Sequence, residues 1–293
     1  MATPITGSHP TSPPGGDTPI RWPAPGDEIR NPVTGMGYVL GRVLGEGSFG
    51  VTFECTSEFA EPLVAKYLKP FRPRGQTEQD WLKEAHLMGL VRHPYIVHIF
   101  DWFEYGNLYY IICERAWGSI RDLVARHGAF APPAVVEFGR QLLSALHFMH
   151  GQRVIHRDLQ IDNVLYVGEA PHIALKISDF GISRKLGGEE GYAFTNVGRA
   201  FDVAPELICG GYTSIQSDLY QVGLLLYFLL TGTVAVGAHD GPVEQAIASG
   251  IAHQRALAVG GRLGQCLSIM LAVDDRARYR DALAAWYALR DAV

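Results

Sequence analysis

The chain has 293 residues and a mass of 32.1 kDa, with 47% hydrophobic and 19% charged residues. That is enough apolar material for one large domain or two lobes, and too much for a chain disordered throughout. The formal net charge is −5 and the pI about 6.1, which argues against a broad electrostatic grip on nucleic acid, since that binding needs clustered positive charge.

Residues 1–36 hold eight of the 17 prolines, interleaved with Gly, Ser and Thr. Such a segment buries too little to offset its ordering entropy, so it reads as a disordered tail. It lacks a charged start followed by an apolar stretch, and no signal peptide is expected. From Tyr38 the pattern changes. Apolar runs at 38–44, 51–56, 62–68, 96–103 and 108–113, separated by Gly-bearing turns, predict five antiparallel strands. A helical pattern at 77–91 has Trp81, Leu82, Ala85, Leu87, Met88 and Leu90 on one face. Beyond it helices dominate, most clearly at 119–127, 132–151, 218–231 and 281–291, with Pro132 and Pro133 suited to a first helical turn. A strand-rich front and a helix-rich back predict two lobes with a cleft between them. The run Leu219 to Ala238 carries no charge over about a bilayer's thickness. It reads either as a membrane span or as a buried helix.

Cys55, Cys113, Cys209 and Cys266 are far apart and form no C-x-x-C pair. That pattern disfavours a zinc ribbon, a redox motif and a disulfide framework, and fits a reducing cytosol.

Three groups of residues could carry chemistry. Gly45-Glu46-Gly47-Ser48-Phe49-Gly50 lies between two predicted strands. Glycines there let a backbone approach phosphates closely, although a plain hairpin turn would look the same. It precedes a strand rather than a helix, which disfavours a dinucleotide-binding fold. Next, Val64-Ala65-Lys66 ends an apolar strand. A Lys on an inner strand needs an anionic partner, for which Glu84 is a candidate, whereas an edge Lys could reach solvent. Finally, His156-Arg157-Asp158-Leu159-Gln160-Ile161-Asp162-Asn163 is followed by Ser178-Asp179-Phe180-Gly181 and Ala204-Pro205-Glu206. A carboxylate, an amide five residues on and a second carboxylate supply a base for a hydroxyl proton and two oxygen ligands for magnesium.

In this order and spacing the elements resemble the eukaryotic-type, Ser/Thr-like protein kinase family over about residues 38–290. The resemblance implies an α+β, bilobal fold. The tail would occupy 1–36 and the kinase domain 37–293, with a small lobe at 37–114 and a large lobe at 117–293. It implies ATP and Mg as cofactors and a protein substrate as partner. Asp158 would accept the substrate hydroxyl proton, with Asn163 and Asp179 holding the metal. Lys66 would hold the α- and β-phosphates and pair with Glu84. Leu44, Gly45, Glu46, Gly47, Ser48, Phe49, Gly50, Thr52, Ala65, Cys113, Glu114, Ala116 and Leu165 would surround the nucleotide, Cys113 as gatekeeper. Met88, Ile99, His156 and Phe180 match the stack that links the lobes. Glu206 and Arg278 look like a structural ion pair. Asp218 would open the central buried helix, which turns the charge-free run into core rather than a membrane span. Arg157 would pair with a phosphorylated Thr195 in the activation loop, unless Glu189 or Glu190 supplies that charge without modification.

Three positions depart from the family pattern. Thr52 replaces a Val of similar shape, and Gln160 replaces a Lys that contacts the γ-phosphate. Gly198-Arg199-Ala200 replaces Gly-Thr-Pro, and Arg199 is a candidate for the missing cation. The expectation is an ATP-dependent kinase acting on Ser/Thr hydroxyls of proteins. The alternatives are a pseudokinase or scaffold that binds ATP with little transfer, and a small-molecule phosphotransferase. Only five of the 25 basic residues are Lys, a usage that suggests a bacterial source. A cytoplasmic protein with no membrane span is expected.

Overall fold

Alternation of apolar and polar residues builds a six-stranded antiparallel sheet: β1 (Glu28–Arg30), β2 (Gly37–Glu46), β3 (Gly50–Ser57), β4 (Pro62–Leu68), β5 (Ile99–Tyr105) and β6 (Leu108–Glu114). The computed structural model describes residues 20–47, 50–69, 92–179, 184–185 and 202–292. Those within Met1–His86 and Ile99–Arg115 form one unit, and those within Leu87–His98 and Ala116–Val293 a second. The expected helix at 77–91 lies outside the described residues.

In the first unit the strand order is β1-β2-β3-β4-β6-β5. Val51, Phe53 and Cys55 of β3, Leu63, Ala65 and Tyr67 of β4, and Tyr110 and Ile112 of β6 share one buried core. Burial pushes the Cys55 thiol up to about 12, so it packs as a small hydrophobe rather than reacting as a thiolate. Gly50 is dictated by this packing, because a Cβ there would lie 2.3 Å from the Tyr67 carbonyl oxygen.

Two expectations need correction here. Residues 20–36 are not part of a disordered tail: β1 pairs with β2 through Ile29↔Tyr38, and Ile29 is buried. Trp22 packs against Tyr67. Asn31 donates to both carboxylate oxygens of Asp101, at 2.8 and 3.0 Å, and the Tyr38 hydroxyl donates to the same group at 2.8 Å. Composition misled because Pro23, Pro25 and Pro32 flank β1 rather than interrupt it. Residues 1–19 lie outside the described residues. The expected strand at 96–103 is two pieces. Ile99–Tyr105 joins the sheet, whereas Val97 N–H donates to the Ile177 carbonyl and Ile177 N–H to the Tyr95 carbonyl, both at 2.9 Å, within the second unit.

The second unit is mainly helical. Its elements include β7 (Gly118–Ser119), α1 (Ile120–His127), α2 (Pro132–Gly151), β8 (Val154–Ile155), β9 (Val164–Val167), β10 (Ala174–Ile177) and β11 (Arg184–Lys185). There follow α3 (Pro205–Gly210), α4 (Ile215–Thr231), α5 (Val243–Ala248), α6 (Ile251–Val259), α7 (Gly261–Met270) and α8 (Ala282–Arg290). Ser119 and Asp122 cap α1 reciprocally, and Asp281 caps α8 by accepting from Ala284 N–H at 2.7 Å. α4 starts one turn before the expected 218–231, on a Ser214/Ser217 capping box, and stops at Gly232, whose φ is 73°. It is buried on most faces, and Leu224, Leu225, Leu226 and Leu229 belong to the core. No helix among the described residues is long and apolar enough to cross a membrane.

If β1 belongs to the folded unit, Ile29→Ala should lower unfolding free energy by about 2–5 kcal/mol, the usual cost of emptying a buried aliphatic site. Urea and thermal melts read this directly. A change below about 0.5 kcal/mol, the size of an ordinary surface substitution, would contradict the assignment.

Candidate active site

Within the first unit lie a glycine-bearing hairpin and a lysine. β2 and β3 pair through Gly45↔Thr52 and Glu46↔Val51, and Gly47 N–H donates to the Gly50 carbonyl at 2.9 Å. Among the described residues, nothing lies within 4 Å of where a Cβ of Gly45 would sit, and only the Gly50 carbonyl oxygen, at 4.0 Å, of one on Gly47. Packing by described residues therefore explains Gly50 but not the other two, beside whose backbone the described residues leave open space. Leu44 is exposed, and Glu46 is ion-paired with Lys69. Ser48, Phe49 and Glu84 lie outside the described residues.

Lys66 pairs across the sheet with Thr52 and Ile111, and Val64 with Cys113. Strand alternation puts Val64, Lys66, Thr52 and Cys113 on one face. Ala65 stands on the other face, fully buried in the core with Leu63 and Tyr67. This corrects its expected place beside the nucleotide. Val64 is the neighbour that shares the Lys66 face, and counting with a period of two from Lys66 would have found it. Glu114 ends β6 opposite Leu63.

The second unit holds the carboxylates. Asp218, fully buried on α4, accepts three hydrogen bonds: from His156 N–H at 3.0 Å, from Arg157 N–H at 2.9 Å and from the His150 ring at 2.8 Å. These bonds fix the start of the loop bearing Asp158. Arg157 has φ 75°, a conformation that side-chain-bearing residues rarely adopt. His156 Nε2 donates to the Ser178 carbonyl at 2.9 Å, and Nδ1 accepts from Asp158 N–H at 3.3 Å. The imidazole thereby ties the loop to the residue before Asp179.

Asp158 is held by two amides. Gln160 Nε2 donates to Oδ1 at 3.0 Å, and Asn163 Nδ2 donates to Oδ2 at 2.7 Å and to the Asp158 carbonyl at 2.9 Å. Both partners are acceptors only, which fixes which end of each amide faces Asp158. Gln160 is buried, so the position where the family carries Lys supplies a neutral donor. Asn163 Oδ1 is turned away from Asp158, and no described group donates to it. The Asn163 carbonyl accepts from Ser178 N–H at 2.9 Å and from its hydroxyl at 2.8 Å. Antiparallel pairing of Val164 with Ile177 brings these two chain ends together. Asn163 and half-buried Asp179, whose φ is 60°, thus lie at one end of the β9–β10 hairpin. Leu165 is half-buried on β9.

This donor set suits magnesium. It is all oxygen, and the described residues contain no group of three or more His, Cys, Asp or Glu that could hold a metal alone. Magnesium takes few protein ligands and shares them with phosphate oxygens and water. Among the other expected site residues, Ala116 and Arg157 are half-buried in the second unit. Thr195, Arg199, Met88 and Phe180 lie outside the described residues. Glu206 and Arg278 form a buried two-point ion pair at 2.9 and 2.8 Å. Sequence reasoning gave no role to Gln221, which the structure places against the same loop.

Residues 38–268 match the protein kinase domain family, and the chain belongs to that family. It is 32% identical over 210 residues to the cell cycle serine/threonine-protein kinase CDC5/MSD2 of Saccharomyces cerevisiae, covering 70% of this chain and 29% of that protein. It is 31% identical over 196 residues to the calcium/calmodulin-dependent protein kinase cmkA of Emericella nidulans, 67% of this chain and 47% of that protein. A calcium/calmodulin-dependent protein kinase of Metarhizium anisopliae is also 31% identical over 196 residues, with 51% of its length covered. The chain therefore spans about half the length of these relatives, or less.

Arg278→Ala should cost about 3–5 kcal/mol, because it leaves the Glu206 carboxylate buried without its ion-pair partner. The double change Arg278→Leu with Glu206→Leu should recover part of that loss. Chemical denaturation of the wild type and these two variants checks both. Equal stability of Arg278→Ala and wild type would show the pair to be dispensable.

Proposed function

We propose that the chain is an ATP-dependent protein kinase that transfers the γ-phosphate of ATP to Ser or Thr hydroxyls of protein substrates. The observation that carries this reading is the placement of Asp158 between the Gln160 and Asn163 amides, with Asn163 Oδ1 left for a metal at the end of the hairpin that bears Asp179. Asp158 accepts the proton as the substrate oxygen bonds to phosphorus. The bond from phosphorus to the β,γ-bridging oxygen breaks, and ADP leaves. Magnesium, when bound, neutralises charge on the phosphate oxygens. Asn163 and Asp179 are its proposed ligands. Lys66 is assigned to the α- and β-phosphates from its strand position, with Glu84 as its proposed partner. The space that the described residues leave beside Gly45 and Gly47 supports close approach of a phosphate chain to that backbone.

The Lys-to-Gln replacement does not by itself favour a pseudokinase, because the buried Gln160 amide keeps a donor on Asp158. The same reading takes Thr195 as a phosphorylation site paired with Arg157, supported by its spacing of eleven residues before Glu206. A bacterial, cytoplasmic setting is proposed from Lys-poor composition and four dispersed free cysteines.

The test is incubation of the purified protein with labelled ATP, magnesium and a protein acceptor, beside Asp158→Asn, Lys66→Ala and Asp179→Asn. Each variant should melt like wild type and transfer at least about 100-fold more slowly, the usual cost of losing one catalytic charge. Wild-type transfer by Asp179→Asn at ordinary magnesium would overturn the metal assignment. Absence of transfer by the wild type to any acceptor would favour the scaffold.

A further inference from the structure

Gln221 lies one helical turn after Asp218 on α4, so both side chains leave the same face. Its side chain is buried and makes three contacts. Oε1 accepts from Leu159 N–H at 3.2 Å, and Nε2 donates to the Arg157 carbonyl at 3.2 Å and to the Asp202 carbonyl at 3.0 Å. The partners' chemistry fixes the amide's orientation, since a carbonyl cannot donate and an N–H cannot accept.

The consequence falls on Arg157. Asp218 holds its N–H and Gln221 its carbonyl, while φ sits at 75°. A residue in that region keeps its conformation only where its surroundings over-determine it. The two peptide groups that flank Asp158 are therefore both gripped by Gln221: the Arg157 carbonyl before it and the Leu159 N–H after it. The third contact reaches a different part of the chain, the segment that leads through Ala204 into α3.

We propose that Gln221 is a positioning residue for phosphoryl transfer: it locks the backbone on both sides of Asp158 and ties that loop to the Asp202 segment. This rests on the kinase reading above. Gln221 touches neither reacting group. It acts by holding the Asp158 carboxylate where a hydroxyl proton can be received, and small displacements of such a group are costly to rate. Neither a neutral apolar side chain nor a carboxylate can serve all three partners, because the site needs one acceptor and one donor in fixed places.

The test uses the full chain with Gln221→Ala and Gln221→Glu. The Glu variant keeps the volume and the acceptor but sets a carboxylate against two carbonyls. Both should lower kcat at least about tenfold, while the Kd for magnesium–ATP moves less than about threefold. A role confined to stability would lower the melting temperature and leave kcat per folded molecule unchanged, and that result would overturn the proposal. Amide hydrogen exchange at Leu159 provides a readout that needs neither activity nor a variant. The wild-type amide should be strongly protected, and Gln221→Ala should release it. A fast-exchanging Leu159 in the wild type would overturn the proposal even if neither variant folds. A wild type that transfers no phosphate would sink the kinase reading, and the exchange arm would still decide whether Gln221 holds the loop.

Discussion

A single carboxylate organises the candidate active site. Asp218 has no solvent exposure, and a charge removed from water is tolerated only when hydrogen bonds replace its hydration. It obtains them from two consecutive backbone N–H groups and one imidazole. Those donors belong to α2 and to the loop after β8, so satisfying one buried charge brings three parts of the second unit together. The same bonds hold Arg157 in a left-handed conformation that its side chain disfavours.

From there the order passes outward through amides and one imidazole. His156 connects the loop to Ser178, and Asn163 connects Asp158 to the β9–β10 hairpin. Gln160 and Gln221 contribute neutral groups at positions that touch the carboxylate and the backbone around it. Such a network is rigid because almost every member is satisfied by geometry that admits one arrangement. Rigidity at this point is what electrostatic stabilisation of phosphoryl transfer requires, since the groups must be in place before charge develops.

Much of this was legible in the sequence where residue identity alone carries the chemistry. Type and spacing single out Asp158, Asn163 and Asp179 as candidates, and the fold brings the first two into direct contact. The longer helices were legible because caps and proline bound them. Other features were not. Gln221 carries no signal in sequence, since its role depends on which backbone groups α4 faces. The resemblance sets Ala65 beside the nucleotide, whereas strand period turns it into the core and leaves Val64 on the Lys66 face. The proline-rich segment before Gly37 concealed β1, a strand of three residues whose stability comes from Ile29 and from the Asn31–Asp101 contact rather than from composition. The helices between Val243 and Met270 were missed because they are short and separated by Ser249, Gly250 and Gly260, which break any long period.

By holding the backbone N–H groups of His156 and Arg157, Asp218 sets the geometry of the loop that bears Asp158. Single-turnover phosphoryl transfer by Asp218→Asn, measured at saturating magnesium–ATP alongside nucleotide affinity, tests it most directly. The amide keeps the side chain's size but offers one acceptor oxygen where three donors now converge. A folded variant that binds nucleotide as wild type does, yet transfers at least about 100-fold more slowly, is the predicted result. Wild-type transfer by that variant would contradict the account.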